Sequence, residues 1–375
     1  MTENSTDARQ ASFRQLGADI ARMSNAQLQH LVVDSKACLG HGLSRIITLD
    51  QSKVFVKRIP VTDLEYENFL STQNFYALPN YCSYGLGSIR LGVFRELIVH
   101  LKTTHWVLSK DIKTFPLLYH HRLMPISGPR MEIDENWLNS FVERWGQSKQ
   151  VRQYVIDRAS ANHELMLFLE YIPHVLASWL PKNPGQLQKV LQQLWMTVSF
   201  LRQKGIVHFD AHFHNILTDG DSIYLTDFGL AVDKHFALSE SEVVFLQKNT
   251  LYDYAEILRN LDHLLRETYH SCSEHERKAV QTKYGIEKSL EGYSLGTVLL
   301  SHLEQIQTDG TIKLNESDIA SILKYRSSII LAREFYTEIW HNKQKDTEFP
   351  TREFKALLES CGIIDIPLAQ KIPAP

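Results

Sequence analysis

The sequence predicts an α+β protein, with a small β-rich part towards the N-terminus and a mostly helical part after it. Short apolar runs bounded by turn residues are typical of strands, and they occur at residues 38–47, 54–57, 115–123 and 165–172. After Gly229, nearly every segment to about residue 358 has apolar residues at helical spacing. Between these regions, residues 186–204 are predicted to form one long amphipathic helix that stops at Gly205.

The chain divides into three predicted regions. Residues 1–35 form an N-terminal helical leader, because polar and apolar residues alternate there at helical spacing. Residues 36–172 form the β-rich part, with a helical insertion near 125–162 whose aromatic residues recur every fourth position. Residues 173–375 form the helical part, which ends in a C-terminal helical extension.

Composition and charge exclude several classes of protein. The chain is 43% hydrophobic and 22% charged, as expected of a folded protein rather than a disordered one. Its net charge of −3 lacks a basic excess, so no nucleic-acid partner is expected. The polar start carries no secretory signal, and no apolar run approaches the roughly 18 residues of a membrane span. We therefore expect a cytoplasmic protein without membrane insertion.

The polar segment directly after the predicted long helix carries the strongest functional signal. It reads HFDAHFHNIL over residues 208–217 and places His208, Asp210 and Asn215 on a loop. The turn TDGDS then starts a return strand that leads to Asp227, so a hairpin brings Asn215 and Asp227 close together. Carboxylate and amide oxygens suit Mg²⁺, and a further carboxylate can accept a hydroxyl proton. The spacing therefore predicts a polar site at which Asn215 and Asp227 lie close together.

The stretch HFDAHFHNILTDGDSIYLTDFGLA resembles the catalytic and metal-binding loops of protein kinases, which read H-R-D-L-x-x-x-N and then D-F-G. Over roughly residues 36–270, outside the insertion, the resemblance implies a two-lobed protein-kinase-like fold, with a small β-rich N-lobe and a mostly helical C-lobe. It implies ATP and Mg²⁺ as cofactors, with Asn215 and Asp227 as the Mg²⁺ ligands. Asp210 would be the catalytic base that takes the proton of an acceptor hydroxyl, and His208 would brace the loop.

A glycine pair upstream fits the same resemblance. Gly40 and Gly42 would let backbone N–H groups approach the phosphates of ATP. Ile47 falls where the kinase pattern G-x-G-x-x-G-x-V has its apolar residue over the base. Arg45 stands in place of the third glycine, which departs from the pattern.

Lys57, at the end of an apolar strand, would contact the α- and β-phosphates of ATP and pair with a glutamate on the next helix. The alternative is an exposed lysine at a strand end. The candidate partners are Glu65, Glu67 and Glu96. We favour Glu96, because eight or ten residues are short for a strand, a turn and a helix to bring the acid back to Lys57.

The apolar run LEYI at residues 169–172 resembles the hinge between the two kinase lobes. The resemblance implies that backbone groups of Glu170 and Ile172 contact the adenine edge of ATP.

Departures from the protein-kinase pattern bear on the acceptor. Phe209 replaces the arginine of H-R-D, so the cation that usually receives an activation-loop phosphate is missing. His212 completes a pattern, H-x-D-x-H-x-x-N, that is similar to aminoglycoside and choline phosphotransferases, which makes it a candidate catalytic residue. The D-F-G-L-A sequence is closer to protein kinases. We expect an atypical bacterial-type protein kinase with a protein acceptor, and a small-molecule kinase is the first alternative.

Two further alternatives are a pseudokinase that serves as a binding module and a metallohydrolase. A binding module has no chemical use for Lys57, Asp210, Asn215 and Asp227 together. A metallohydrolase could use H-x-D-x-H-x-H as ligands of a transition metal, but Asn215 and the D-F-G sequence would then be unexplained.

Overall fold

The computed structural model describes residues 6–33, 36–37, 44–85, 89, 91–126, 132–310 and 315–363. The predicted phosphate-binding residues Gly40 and Gly42 lie outside the described residues. Within these ranges the protein has a mixed α+β fold, in which a small antiparallel sheet is followed by a mostly helical part. The predicted α+β class is therefore confirmed.

The main sheet is built from strands in the first half of the chain. They are β1 (Lys36–Ala37), β2 (Arg45–Leu49), β3 (Ser52–Val61), β4 (Leu118–Pro125) and β5 (His163–Glu170). Within the described residues the strand order is β1-β2-β3-β5-β4, and each neighbouring pair is antiparallel. Strand β5 is an almost continuous apolar run because it lies between β3 and β4 and is buried from Glu164 to Leu169.

Helices cover this sheet and precede it. They are α1 (Thr6–Arg22), α2 (Asn25–Val33), α3 (Asp63–Glu67), α4 (Val93–Leu108), α5 (Glu135–Arg144) and α6 (Lys149–Ala159). Helix α4 packs on the sheet through Val93, Phe94 and Leu97, which share a buried cluster with Ile59 and Leu165. This packing sets α4 beside β3, the strand that carries Lys57.

Helix α3 is shorter than its sequence pattern, which extends from residue 63 to about 74. Thr62 and Glu65 form a capping box at its N-terminus. The helix stops at Glu67, and Leu70 has a φ of 62°, a left-handed conformation that cannot continue a right-handed helix. Glu65 also accepts a hydrogen bond of 3.0 Å from the amide nitrogen of Val93, which ties α3 to the start of α4.

The second half of the chain is dominated by helices. They are α7 (Leu176–Trp179), α8 (Leu187–Lys204), α9 (Glu240–Lys248), α10 (Tyr252–Arg259), α11 (Leu261–Ser271), α12 (Glu274–Tyr284), α13 (Gly292–Ser301), α14 (Leu303–Asp309), α15 (Glu316–Lys324), α16 (Arg326–His341) and α17 (Thr351–Ser360). The short strands among them are β6 (His174–Val175), β7 (Ile206–Val207), β8 (Ile216–Thr218), β9 (Ile223–Leu225) and β10 (Val232–Asp233). No helix in the described ranges is both long and apolar enough to cross a membrane.

The long helix α8 positions the polar segment that follows it. It ends where Gly205 adopts a left-handed φ of 82°, which glycine does without strain. Strand β7 starts at the next residue and pairs with β10, while β8 and β9 form the predicted hairpin. Helix α10 is buried from Tyr252 to Leu258 and contributes the side chain that holds the loop between β7 and β8.

Candidate active site

The loop after β7 is fixed by the buried carboxylate of Asp253. Its two oxygens accept hydrogen bonds from the amide nitrogens of His208 and Phe209, each at 2.8 Å. Phe209 has a φ of 62°, which a bulky residue adopts only where its surroundings enforce it. Burial raises the pKa of Asp253 to about 7, and the two amide hydrogen bonds oppose this rise. Asp253 therefore sets the backbone from which Asp210 projects.

The side chain of Phe209 is fully buried in an aromatic cluster. Its ring centroid lies 6.2 Å from that of Tyr84, 5.4 Å from that of Phe245 and 5.1 Å from that of Tyr252. The residue that replaces the arginine of H-R-D is thus part of the hydrophobic core.

His208 joins the two loops of the motif. Its Nδ1 accepts a hydrogen bond from the amide of Asp210 at 3.2 Å, so the proton of the neutral ring is on Nε2. Nε2 lies 3.0 Å from the carbonyl oxygen of Thr226, directly before Asp227. Burial lowers the pKa of His208 to about 4, which keeps the ring neutral. His208 braces the loops.

Asp210 lies between Asn215 and His212. The side-chain nitrogen Nδ2 of Asn215 donates a hydrogen bond to Oδ2 of Asp210 at 2.8 Å. Nε2 of His212 lies 3.5 Å from Oδ1 of Asp210. Burial, followed by the charges of Asp227 and Glu256, raises the pKa of Asp210 to about 8. Burial also lowers the pKa of His212. A carboxylate of raised pKa is a stronger base than an ordinary aspartate.

Lys57 connects β3, α4 and the end of the hairpin. Its Nζ lies 2.5 Å from Oε1 of Glu96 and 2.8 Å from Oδ1 of Asp227. The Glu96 side chain is 0% exposed, whereas the Asp227 side chain is 33% exposed and can therefore be reached by a ligand. Asp227 has a φ of 63° and is, with Phe209, one of two non-glycine residues of the motif in the left-handed region.

The other two candidate partners of Lys57 lie elsewhere. Glu65 is occupied by the capping box of α3 and by the amide of Val93. Glu67 is exposed at the end of that helix. Of the three glutamates, the structure brings Glu96 to Lys57.

The predicted nucleotide-binding residues are spread along the sheet. Ile47 is buried in β2 opposite Val54, and Ile172 is buried just after β5. The amide of Glu170 donates to the carbonyl oxygen of Leu117 at 2.8 Å, so an adenine contact of Glu170 is limited to its carbonyl.

Sequence reasoning missed the charged residues of α10. Besides Asp253, this helix carries Glu256 and Arg259, which form a buried ion pair whose charges influence the pKa values of Asp210 and His212. The available signal was a run, YDYAEILR, with charged residues every third position in an otherwise apolar helix. Charges at such spacing in a buried helix require partners.

The histidines of the motif do not form a transition-metal site in the described part of the chain. No group of three His, Cys, Asp or Glu side chains there is arranged to hold a metal ion. His208 is engaged with Thr226 and with the backbone of Asp210. The geometry therefore gives no support to the metallohydrolase alternative.

In comparisons with known proteins, neither a protein-family model nor a curated protein sequence matches this chain. Its own residues are therefore the basis for assigning a function.

Proposed function

We propose that the protein is an ATP- and Mg²⁺-dependent phosphotransferase with a two-lobed protein-kinase-like arrangement, which transfers the γ-phosphate of ATP to a hydroxyl acceptor. The observation that carries the proposal is the double contact of Lys57 with Glu96 and Asp227. It joins the sheet, α4 and the end of the β8–β9 hairpin at one point. A cation there is suited to the phosphates of a nucleotide.

Asp227 and Asn215 fit a Mg²⁺ ion that also binds nucleotide phosphates. The side-chain nitrogen Nδ2 of Asn215 donates hydrogen bonds to Asp210, so the side-chain oxygen Oδ1 of Asn215 is the atom that would face a cation. The Asp227 carboxylate is partly exposed, and one or two such side chains are the usual protein contribution to this kind of site. When bound, Mg²⁺ would neutralise charge on the β- and γ-phosphates.

The proposed reaction needs a base and an electrostatic clamp. The bond between the γ-phosphorus and the oxygen that bridges to the β-phosphate breaks, and the acceptor oxygen forms a new bond to that phosphorus. The acceptor proton moves to Asp210, and ADP leaves with the bridging oxygen. Lys57 holds the phosphates while His212 orients the Asp210 carboxylate, which lies 3.5 Å away.

The proposal is tested with γ-labelled ATP and Mg²⁺, incubated with the protein alone, with lysate proteins and with a pool of small metabolites. Asp210→Ala and Asp227→Ala should each reduce label transfer by about 100-fold or more, the usual effect of removing such groups. Asp221→Asn, on the exposed turn of the same hairpin, is the matched control and should retain activity. ATP turnover that survives both active-site substitutions would overturn the proposal. Absence of ATP turnover by the unmodified chain would also overturn it and would favour a binding module.

A further inference from the structure

A cavity of about 900 Å³ lies beside Asp210, between α10, α13 and α16. Gly85 forms part of its wall, and a Cβ atom at this position would lie 2.7 Å from Oδ1 of Asp210. The cavity therefore begins next to the carboxylate that takes the acceptor proton in the proposed reaction. Tyr293 of α13 and Arg333 of α16 also line it.

The size of this cavity suits a compact molecule. Sites for small molecules usually measure about 300 to 1,000 Å³ and are concave. The helices that form this one, α10, α13 and α16, come from the C-terminal half of the chain.

Arg333 gives the cavity its chemical character. The residue is 6% exposed, and its Nη2 donates to the carbonyl oxygen of Tyr293 and to Oγ1 of Thr297. Within the described residues, its Nη1 has no hydrogen-bond partner. Burial lowers the pKa of Arg333, as expected of a cation with too little compensation.

The carboxylate of Asp262, which balances part of the charge of Arg333, also lies close to Arg266. Among the described residues, the carboxylate oxygen that pairs with Arg333 is Oδ2 of Asp262, which is 3.9 Å from Nη2 of Arg333 and 3.5 Å from Nε of Arg266. One carboxylate thus serves two arginines, which leaves an excess positive charge in a buried place. An uncompensated buried charge is costly, and a bound anion would offset that cost.

The other charges around the cavity do not cancel this excess. Arg259 is paired with Glu256 and stacks over the ring of Tyr336, so that pair is neutral as a unit. Glu334 and Glu338 also line the cavity, but both are exposed, where water and salt screen them.

We propose that this cavity binds the phosphate acceptor, and that the acceptor is a compact hydroxyl compound with an anionic group that pairs with Arg333. The inference rests on the proposed phosphotransferase activity and replaces the protein acceptor expected from the sequence. The anionic group would contact Nη1 of Arg333, with the hydroxyl towards Asp210.

The first test separates possible acceptors by charge before the reaction. A small-molecule extract is divided by ion exchange into anionic, neutral and cationic pools, and each is incubated with the full chain and γ-labelled ATP. A fourth sample contains lysate proteins. Label that depends on Asp227 is expected in the anionic pool. If ATP turnover depends on Asp227 but the anionic pool carries no label, this inference is overturned. If ATP turnover is the same after substitution of Asp227, the proposed function is overturned.

The second test measures binding without catalysis. Gluconate, glucose and glucosamine have similar sizes and carry a negative, no and a positive charge, and saturation-transfer NMR reports which of them contacts the protein. Gluconate should bind and glucosamine should not, and Arg333→Gln should weaken gluconate binding by about 10-fold or more. Arg333→Lys should restore part of it, because the charge remains. Absence of gluconate binding, or glucosamine binding of equal strength, overturns the inference.

Arg352→Gln is the control for loss of one positive charge. Arg352 is exposed on α17 and does not line the cavity, so gluconate binding should be unchanged. Thermal melting of each variant verifies folding. If Arg333→Gln does not fold, the comparison of gluconate binding with glucosamine binding to the wild-type chain still tests whether the cavity prefers an anion.

Discussion

Arg9, in the first helix, forms a two-pronged ion pair with Glu170 at the end of β5. Nε and Nη2 of Arg9 lie 2.9 and 2.6 Å from the two carboxylate oxygens, across 161 positions of the chain. The guanidinium also donates to the carbonyl oxygens of Lys113 and Phe115 and lies over the ring of Tyr224. Helix α1 is therefore fastened to the point where the sheet meets the helical part.

We expect Arg9→Met to lower the free energy of unfolding by about 3 kcal/mol, because it leaves a buried carboxylate without its cation. The two side chains are only 6% and 11% exposed, so the pair is not a solvent-screened surface bridge. Urea denaturation measures the change. Arg22→Met, on the same helix with a side chain 79% exposed, should shift the free energy by less than about 0.5 kcal/mol. Equal effects of the two substitutions would contradict the prediction.

Removal of the carboxylate at position 253 should reduce both stability and activity. Asp253→Ala leaves the buried amides of His208 and Phe209 without an acceptor, at about 1 to 3 kcal/mol for each. The loop that carries Asp210 would relax, so kcat should fall more than the KM for ATP rises. Denaturation and steady-state kinetics test both parts. A variant with normal kcat would show that Asp253 does not position the loop.

Lys57 and Glu96 should show strong coupling in a double-mutant cycle. Lys57→Met removes the cation that lies 2.5 Å from the fully buried Glu96 carboxylate and should destabilise the fold by about 3 kcal/mol. Glu96→Gln removes that charge, so the double variant should recover at least about 1 kcal/mol of stability. Activity should not recover, because the cation that we propose to bind the phosphates is still missing. Additive effects on stability would contradict a direct ion pair.

Stability should decrease with acidification through a buried histidine. Burial lowers the pKa of His100 to about 4 from an ordinary value of 6.5. The unfolded chain therefore takes up a proton near pH 6.5 that the folded chain takes up only near pH 4, so unfolding becomes easier across this interval. The loss should reach about 3 kcal/mol at pH 4.

His100→Leu should flatten the dependence of stability on pH between 6.5 and 4, and denaturation at several pH values measures the slope. His208, whose pKa burial also lowers to about 4, contributes in the same direction and keeps the slope from vanishing. His275→Gln, on an exposed site of α12, is the control and should leave the slope unchanged. If the slope is unaltered in His100→Leu, His100 is not a source of the loss of stability at low pH.

The sequence predicted best what depends on neighbouring residues. The continuous apolar run of β5 and the long periodic helix α8, with its glycine stop, follow from local rules. The closeness of Asn215 and Asp227 follows from the hairpin that joins β8 and β9. The extent of α3 did not follow from such rules, because the helix ends at Glu67 and the chain turns at Leu70, whose left-handed φ the helical spacing does not reveal.

The contacts that distant residues make with the candidate site and with the cavity beside it could not be predicted from the spacing of residues in the sequence. Asp253 reaches the loop across 45 positions, and Arg333 meets the carbonyl of Tyr293 across 40. Both contacts depend on how helices pack, and helix packing is set by side chains over many turns rather than by one motif. The predicted hinge contact of Glu170 is likewise limited by a partner, Leu117, on another segment.

The burial of Phe209 has a consequence for control of the protein. An arginine in a catalytic loop can exchange a carboxylate for a phosphate, but a ring packed against Tyr84, Phe245 and Tyr252 has nothing to exchange. For the proposed phosphotransferase, we therefore expect no switch at position 209 that a phosphate on another segment of the chain could operate.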